Sequence, residues 1–379
     1  MAKEYDVVIL GGGTGGYVAA IRASQLGLKT AVVEKGKLGG TCLHAGCIPS
    51  KALLRSAEVY AQTKNGEAFG VIADGVRLDF AKVQARKAAI VEQLHKGVQH
   101  LMKKGKIDVY AGTGRLLGPS IFSPLPGTVS VEMNDGSENE MLVPKFVVIA
   151  TGSRPRTLPG LEPDGEFVMT SDEALQMVTL PSSILIVGGG VIGMEWASML
   201  NDFGVDVTVL EYADRILPTE DEDVSKEMEK LLRRRGVNIV TGARVLAETL
   251  EKGNGVTIQA EHQGERKTFN TDIVIEKGYI QTNEFGQTKE AHIYAIGDVI
   301  GGLQLAHVAA HEGIVAIEHL AGHNPAPIDY TMVPRCIYTR PEAAAVGLTE
   351  QEAKAKGYDV KVGKFPFKAI GKALVFGEA

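Results

Sequence analysis

Five residues of this chain return at a single spacing. Gly11, Gly13, Gly16, Gly27 and Glu34 reappear 177 residues further on as Gly188, Gly190, Gly193, Gly204 and Glu211. With 45 glycines present, one such pattern carries little weight, but five matches in register are hard to ascribe to abundance. Each copy follows an apolar run, Tyr5 to Leu10 or Ile184 to Val187, and precedes a helical pattern. In the first copy a second strand, Lys29 to Val33, delivers Glu34. This is the order of a dinucleotide-binding unit. Its first glycine makes the tight turn, its second lets a pyrophosphate approach the backbone, and its third packs helix on strand. The acid about 20 residues on accepts from the ribose hydroxyls. The repeat predicts an α/β chain with two Rossmann-like dinucleotide-binding domains; two purely structural strand-helix turns are the alternative.

Between the copies, Gly39 to Leu54 reads Gly-Gly-Thr-Cys-Leu-His-Ala-Gly-Cys-Ile-Pro-Ser-Lys-Ala-Leu-Leu and holds two of the three cysteines, Cys42 and Cys47. Ile48, Ala52, Leu53 and Ala57 mark a helix with Pro49 in its first turn. Both sulfurs are expected at its N-terminus, where unpaired N–H groups and the helix dipole favour the thiolate that attacks disulfides. Lys51 lies one turn beyond Cys47. Two small buried apolar residues are the plainer account of the pair. Zinc needs four ligands, and no second close Cys or His pair accompanies this one.

A net charge of -6 argues against nucleic acid, and the Arg233-Arg234-Arg235 run reads as a solvated helix end before Gly236. No run of 18 apolar residues and no signal peptide are evident, so no membrane association is expected and the chain reads as cytoplasmic. In a reducing compartment a cysteine pair is more readily catalytic than structural. Two dinucleotide sites beside a dithiol suggest an electron path, with a tightly bound flavin at one site and an exchanging nicotinamide at the other. Glu211 favours NAD over NADP because a carboxylate repels a 2'-phosphate, although Arg215 lies close by.

These residues resemble the pyridine nucleotide-disulfide oxidoreductases. The likeness is carried by the Gly39 to Leu54 segment, Val148 to Pro155, Tyr294 to Asp298, Tyr338 to Glu342 and Val346 to Thr349. Glutathione and trypanothione reductases look similar but carry Val-Pro-Lys-Lys where this chain has Ile48 to Lys51. The resemblance implies FAD-dependent oxidation of protein-bound dihydrolipoyl groups with reduction of NAD+, as the E3 component of 2-oxo acid dehydrogenase-type complexes. The implied partners are the lipoyl domain of an acyltransferase (E2) or a similar lipoyl carrier, NAD+, and a second copy in a homodimer. Another disulfide or mercuric reductase, or a catalytically silent flavoprotein partner, remains open.

By the same resemblance Cys42 would be the interchange thiol, Cys47 would face the flavin, and Lys51 would sit at the flavin's reactive edge paired with Glu195. Alone, Glu195 reads as an exposed helix residue. FAD would be held by Gly11, Gly13, Gly16, Glu34, Lys35, Gly40, Thr41, Lys51, Gly114, Ala150, Thr151, Gly152, Gly297, Asp298, Ala306 and His307. NAD would be held by Gly188, Gly190, Val191, Ile192, Gly193, Glu195, Glu211 and Val245. His307 and His311 are four apart but lack further ligands, so no metal is expected. Cys336 reads as a buried free thiol.

The expected order is an FAD-binding part over 1–148, an NAD-binding domain over 149–270, a return to the FAD unit over 271–325, and an incomplete α+β interface (dimerisation) domain over 326–379. Phe80 to Lys104 reads as a long amphipathic helix, Gly118 to Gly127 as a loop in a small sheet, and Thr151 to Pro163 as an interdomain crossing. After Asn270 the chain is about 20 to 30 residues shorter than the family pattern. The family's His-Glu base pair falls beyond Ala379, so a longer molecule is expected.

Overall fold

The computed structural model describes residues 2–119, 127–154, 159–253, 255–270 and 280–377. They form two compact units, Met1–Ala52 with Lys82–Arg156 and Glu276–Tyr330, and Leu53–Ala81 with Thr157–Ile275 and Thr331–Ala379.

In the first unit, β1 (Lys3–Leu10) leads into α1 (Thr14–Gln25) and β2 (Thr30–Glu34). Two helices follow, α2 (Gly40–His44) and α3 (Cys47–Lys64), the latter counted with the second unit from Leu53 on, then the long α4 (Phe80–Lys104), with the bounds expected from its apolar spacing. The strands β3 (Asp108–Leu116), β4 (Val129–Met133) and β5 (Glu140–Ile149) come next. β1 is central, parallel to β2 on one side and β5 on the other, with Val8 opposite both Ala31 and Val147. A strand buried on both faces must be apolar throughout, which the run Val7-Val8-Ile9-Leu10 supplies. Val7 and Ile9 face a core shared with Ala19, Val148, Tyr294 and Ile317, while Val8 and Leu10 face Ala31, Val129 and Leu142. The outer halves of β3 and β5 turn antiparallel onto β4. The Gly118 to Gly127 segment joins β3 to β4; residues 120–126 lie outside the described set.

From Thr157 the second unit holds the short α5 (Ser171–Ala174), then β6 (Ser183–Val187), α6 (Val191–Phe203) and β7 (Asp206–Leu210). After α7 (Glu222–Arg234), β8 (Asn238–Val240) completes a parallel sheet in the order β6-β7-β8. An antiparallel sheet follows, of β9 (Ala243–Lys252), β10 (Val256–His262) and β11 (Glu265–Asn270). Helix α7 is capped by Asp221 and ends on Arg233 and Arg234, which match its dipole. Arg235 departs from the expected solvated run. Only 17% of its side chain is exposed, because it turns inward onto Asp202.

The chain returns to the first unit with β12 (Ile293–Ala295), parallel to β5, and α8 (Ala306–Leu320), packed on α1. It ends in the second unit with the hairpin strands β13 (Arg335–Ile337) and β14 (Ala343–Ala345), then α9 (Glu350–Ala355) and α10 (Gly371–Phe376). The described part of Thr151 to Pro163 holds neither helix nor strand, and Thr271 to Val274 falls outside the described residues. No helix among the described residues is long and apolar enough to cross a membrane.

Candidate active site

The two glycine turns share one hydrogen-bond pattern. The Gly11 N–H donates to the Val33 carbonyl at 2.8 Å, and the Gly188 N–H donates to that of Leu210 at 2.8 Å. Glu34 accepts from the N–H groups of Gly12 and Gly36, each at 2.6 Å. Glu211 accepts from those of Gly189 at 2.5 Å and Ala213 at 2.6 Å. Every partner is displaced by the same 177 positions as the sequence repeat. Gly11 and Gly188 hold φ of 106° and 114°, open to glycine alone, and a Cβ on Gly16 or Gly193 would strike the carbonyl oxygen of Gly11 or Gly188. Gly13 and Gly190 cap α1 and α6 without a side chain, leaving first-turn N–H groups to an anion. Both cradles fit a dinucleotide diphosphate, with an acid held at the ribose end.

The redox segment is fastened to the first turn. The Gly39 N–H donates to the Gly12 carbonyl at 2.8 Å, and Gly40 packs so closely on Gly13 that a Cβ there would lie 2.6 Å from the Gly13 Cα. Cys42 lies inside α2, while Cys47 is the first residue of α3. That corrects the expectation that both sulfurs share one helix N-terminus. In an unbroken helix the ring of Pro49 would collide with the carbonyl four residues back, at Ala45, so the helix breaks at Ala45-Gly46.

Both cysteines are half-buried. The Cys42 thiol is pushed well above its ordinary value, first by its hydrogen bond with Cys47 and then by burial; Thr14 and Lys51 oppose this.

Thr14 escaped the sequence reading, although a hydroxyl inside a glycine turn was a visible signal. It hydrogen-bonds Tyr17 as well, whose hydroxyl is raised mainly by burial and also by the Cys42 charge. His44 and His95 were also missed. Their Nε2 and Nδ1 donate to one carbonyl, that of Leu38, each at 2.9 Å. Burial holds the His44 imidazole below its ordinary value, against the opposing Leu38 hydrogen bond.

Other predicted residues fall around the same turn. Ala150 donates its N–H to the Leu10 carbonyl at 2.8 Å, and Thr151 and Gly152 follow, exposed. Gly114 lies against Leu10 and Val33, the last apolar residues of β1 and β2, while Lys35 and Thr41 are exposed. Asp298 accepts the Ser153 hydroxyl at 2.6 Å. The turn at Gly297 is anchored by buried Glu312, which accepts the Gly297 N–H at 2.7 Å and the Tyr330 hydroxyl at 2.8 Å. An acid on the apolar pattern of α8 was the sequence signal for Glu312. Ala306 and His307 open α8, with His307 exposed. Among the described residues no group of three or more His, Cys, Asp or Glu could hold a metal.

In the second unit Val191 and Ile192 start α6, Ile192 being 57% exposed. Val245, on β9, packs on the unit's core. Glu195 is 6% exposed rather than a surface helix residue, and its Oε1 accepts the Tyr338 N–H at 3.0 Å. Lys51 belongs to the first unit and Glu195 to the second. Arg215 donates to the carbonyls of Glu220 and Pro218, each at 2.8 Å. Cys336, expected to be buried, is exposed on the short hairpin strand β13.

The chain is 68% identical, over 401 aligned positions, to a dihydrolipoyl dehydrogenase of Bacillus subtilis (strain 168), covering all of this chain and 85% of that protein. Those positions outnumber the 379 residues here, so that relative has residues without a counterpart in this chain. A dihydrolipoyl dehydrogenase of Zymomonas mobilis is 40% identical, with 100% and 84% covered. The crystal structure of LpdA from Mycobacterium tuberculosis matches with a TM-score of 0.88 at 26% identity, over 99% of this chain and 85% of that one. FAD and NAD(H) are the cofactors of such proteins. The family model of the pyridine nucleotide-disulphide oxidoreductases matches residues 5–313, and that of their dimerisation domain matches 333–379. By sequence, fold and paired nucleotide turns, the chain belongs to the pyridine nucleotide-disulphide oxidoreductases.

Proposed function

We propose that this chain is a homodimeric dihydrolipoyl dehydrogenase, oxidising dihydrolipoyl groups carried on the lipoyl domain of an acyltransferase and reducing NAD+ in the cytoplasm. The observation that carries this is the hydrogen-bonded Cys42–Cys47 pair, hitched through Gly39 and Gly40 to the first glycine turn.

In the oxidised protein the two sulfurs would form a disulfide. A substrate thiolate attacks Cys42, forming a mixed disulfide and releasing Cys47 as a thiolate. The second substrate thiol, once deprotonated, displaces Cys42, and the cyclic lipoyl disulfide leaves with two electrons now on the cysteine pair. The two protons released come from the two substrate thiols as each ionises. Lys51, whose charge acts on Cys42, lowers the cost of the negative charge left at the pair.

Bound FAD supplies a two-electron acceptor for the pair, and NAD+ a final hydride acceptor. Gly11, Gly13, Gly16 and Glu34 would hold the flavin nucleotide, with Asp298 and its Ser153 hydrogen bond at the far end of β5. Gly188, Gly190, Gly193 and Glu211 would hold NAD, with buried Glu195 two residues further along α6. Preference for NAD over NADP rests on Glu211. Arg215 spends its hydrogen bonds on Glu220 and Pro218.

Cys47→Ser tests the assignment. The variant should retain bound flavin and lose dihydrolipoamide oxidation by at least about a thousandfold, on the scale of removing a catalytic nucleophile. Oxidation at the unsubstituted rate would refute it.

A further inference from the structure

The buried acid two residues past Gly193 is held by a piece of chain far away in sequence. Glu195, Ser198 and Asp202 stand three and four residues apart, on one face of α6. Against that face lies the segment Tyr338–Arg340, inside the part matched by the dimerisation-domain model. Three contacts fix the segment there. The Tyr338 N–H donates to Glu195 Oε1 at 3.0 Å, and the Arg340 N–H donates to Ser198 Oγ at 2.9 Å. The Arg340 guanidinium grips both oxygens of Asp202, its Nε at 3.0 Å from Oδ2 and its Nη2 on Oδ1.

A second arginine closes the arrangement. Arg235, at the end of α7, donates Nη2 to Asp202 Oδ1 at 2.6 Å and Nη1 to Ser198 Oγ at 3.0 Å and to the Arg340 carbonyl. The Asp202 side chain is only 6% exposed, so its charge is compensated by these two guanidinium groups, and removing it would leave both without their shared anion.

We propose that Asp202 is a positioning residue for the nicotinamide step: through Arg340 and Arg235 it holds the Tyr338–Arg340 segment in the register at which the Tyr338 N–H fixes the Glu195 carboxylate. The dimerisation segment thereby sets the geometry of the second nucleotide site. This rests on the function proposed above, and it assigns the two half-reactions different sensitivities. The dithiol step belongs to residues of the first unit and does not depend on Asp202. The step that delivers hydride to NAD+ does.

The test compares Asp202→Asn, which keeps the shape and removes the charge, with the unsubstituted full-length flavoprotein. Under anaerobic rapid mixing, flavin reduction by dihydrolipoamide should stay within about twofold of the parent, while flavin reoxidation by NAD+ should slow by about tenfold or more. Hydrogen exchange should quicken at the Tyr338 and Arg340 amides. Equal loss in both half-reactions, in step with flavin content and melting temperature, would mean a merely structural role and overturn the proposal. So would an unchanged NAD+ step. If Asp202→Asn does not fold, Ser198→Ala removes the hydroxyl that accepts both the Arg340 N–H and Arg235 Nη1; a smaller slowing of the NAD+ step supports the proposal and none overturns it. A parent protein that dihydrolipoamide cannot reduce would remove the functional reading and this one with it. A normal parent with an unaltered NAD+ step in the variants would remove this one alone.

Discussion

Glu34 accepts the backbone N–H of Gly12 at 2.6 Å, so the acid that ends β2 also braces the glycine turn that ends β1. The same contact recurs between Glu211 and Gly189. Each carboxylate oxygen takes one backbone donor and keeps lone pairs for ribose hydroxyls. Replacing Glu211 with Ala should therefore raise the KM for NAD+ by about 10- to 100-fold, as expected for lost hydrogen bonds to a charged group worth about 1.5–3 kcal/mol. Discrimination against NADP+ should weaken, with flavin content unchanged. Steady-state kinetics with both nucleotides checks this, and an unaltered KM for NAD+ would place the ribose elsewhere.

The two cradles should fail separately. A methyl group on Gly16 or Gly193 meets a backbone carbonyl, and overpacking of this kind costs about 1–3 kcal/mol. Gly193→Ala should keep its flavin and lose NAD+ affinity by at least about tenfold. Gly16→Ala should be purified with little or no flavin. Absorbance at the flavin band and calorimetry with NAD+ separate the outcomes, and loss of flavin from Gly193→Ala would contradict the division of roles.

Glu312 titrates in a direction that can be read from its surroundings. Burial raises its carboxyl above the ordinary 4.5, although the Gly297 N–H and the Tyr330 hydroxyl oppose this. The folded state then binds the proton more tightly than the unfolded one. Its contribution to stability is complete below pH 4.5 and is lost as pH rises through the raised folded value. Relative to Glu312→Gln, the unsubstituted protein should lose melting temperature as pH climbs from 4.5. Parallel profiles would show that Glu312 does not titrate in this way.

What the sequence made legible was local or periodic. The five-residue repeat foretold two matching strand-turn-helix units, and the apolar spacing of Phe80 to Lys104 delimited α4, because glycine turns and helix faces are written in neighbouring residues. Cys42 shows where a nearby rule was needed: Pro49 forbids a helix through Ala45, which splits the segment and takes Cys42 off the N-terminus of α3. The remaining differences depend on partners far along the chain. Nothing near Arg235 announces Asp202, 33 residues earlier, or Arg340, 105 residues later. Nothing near Leu38 announces His95. Cys336 is exposed on β13, a property of tertiary placement that an isolated cysteine does not encode.

The most direct measurement is an anaerobic titration of the purified protein with dihydrolipoamide, followed by NAD+, with the flavin and NADH absorbance recorded together. The account predicts loss of flavin absorbance as dihydrolipoamide is added, then recovery with NADH appearing in equal amount when NAD+ follows. A bound flavin that dihydrolipoamide leaves oxidised, while NADH reduces it, would contradict a path from dihydrolipoyl groups through Cys42 and Cys47.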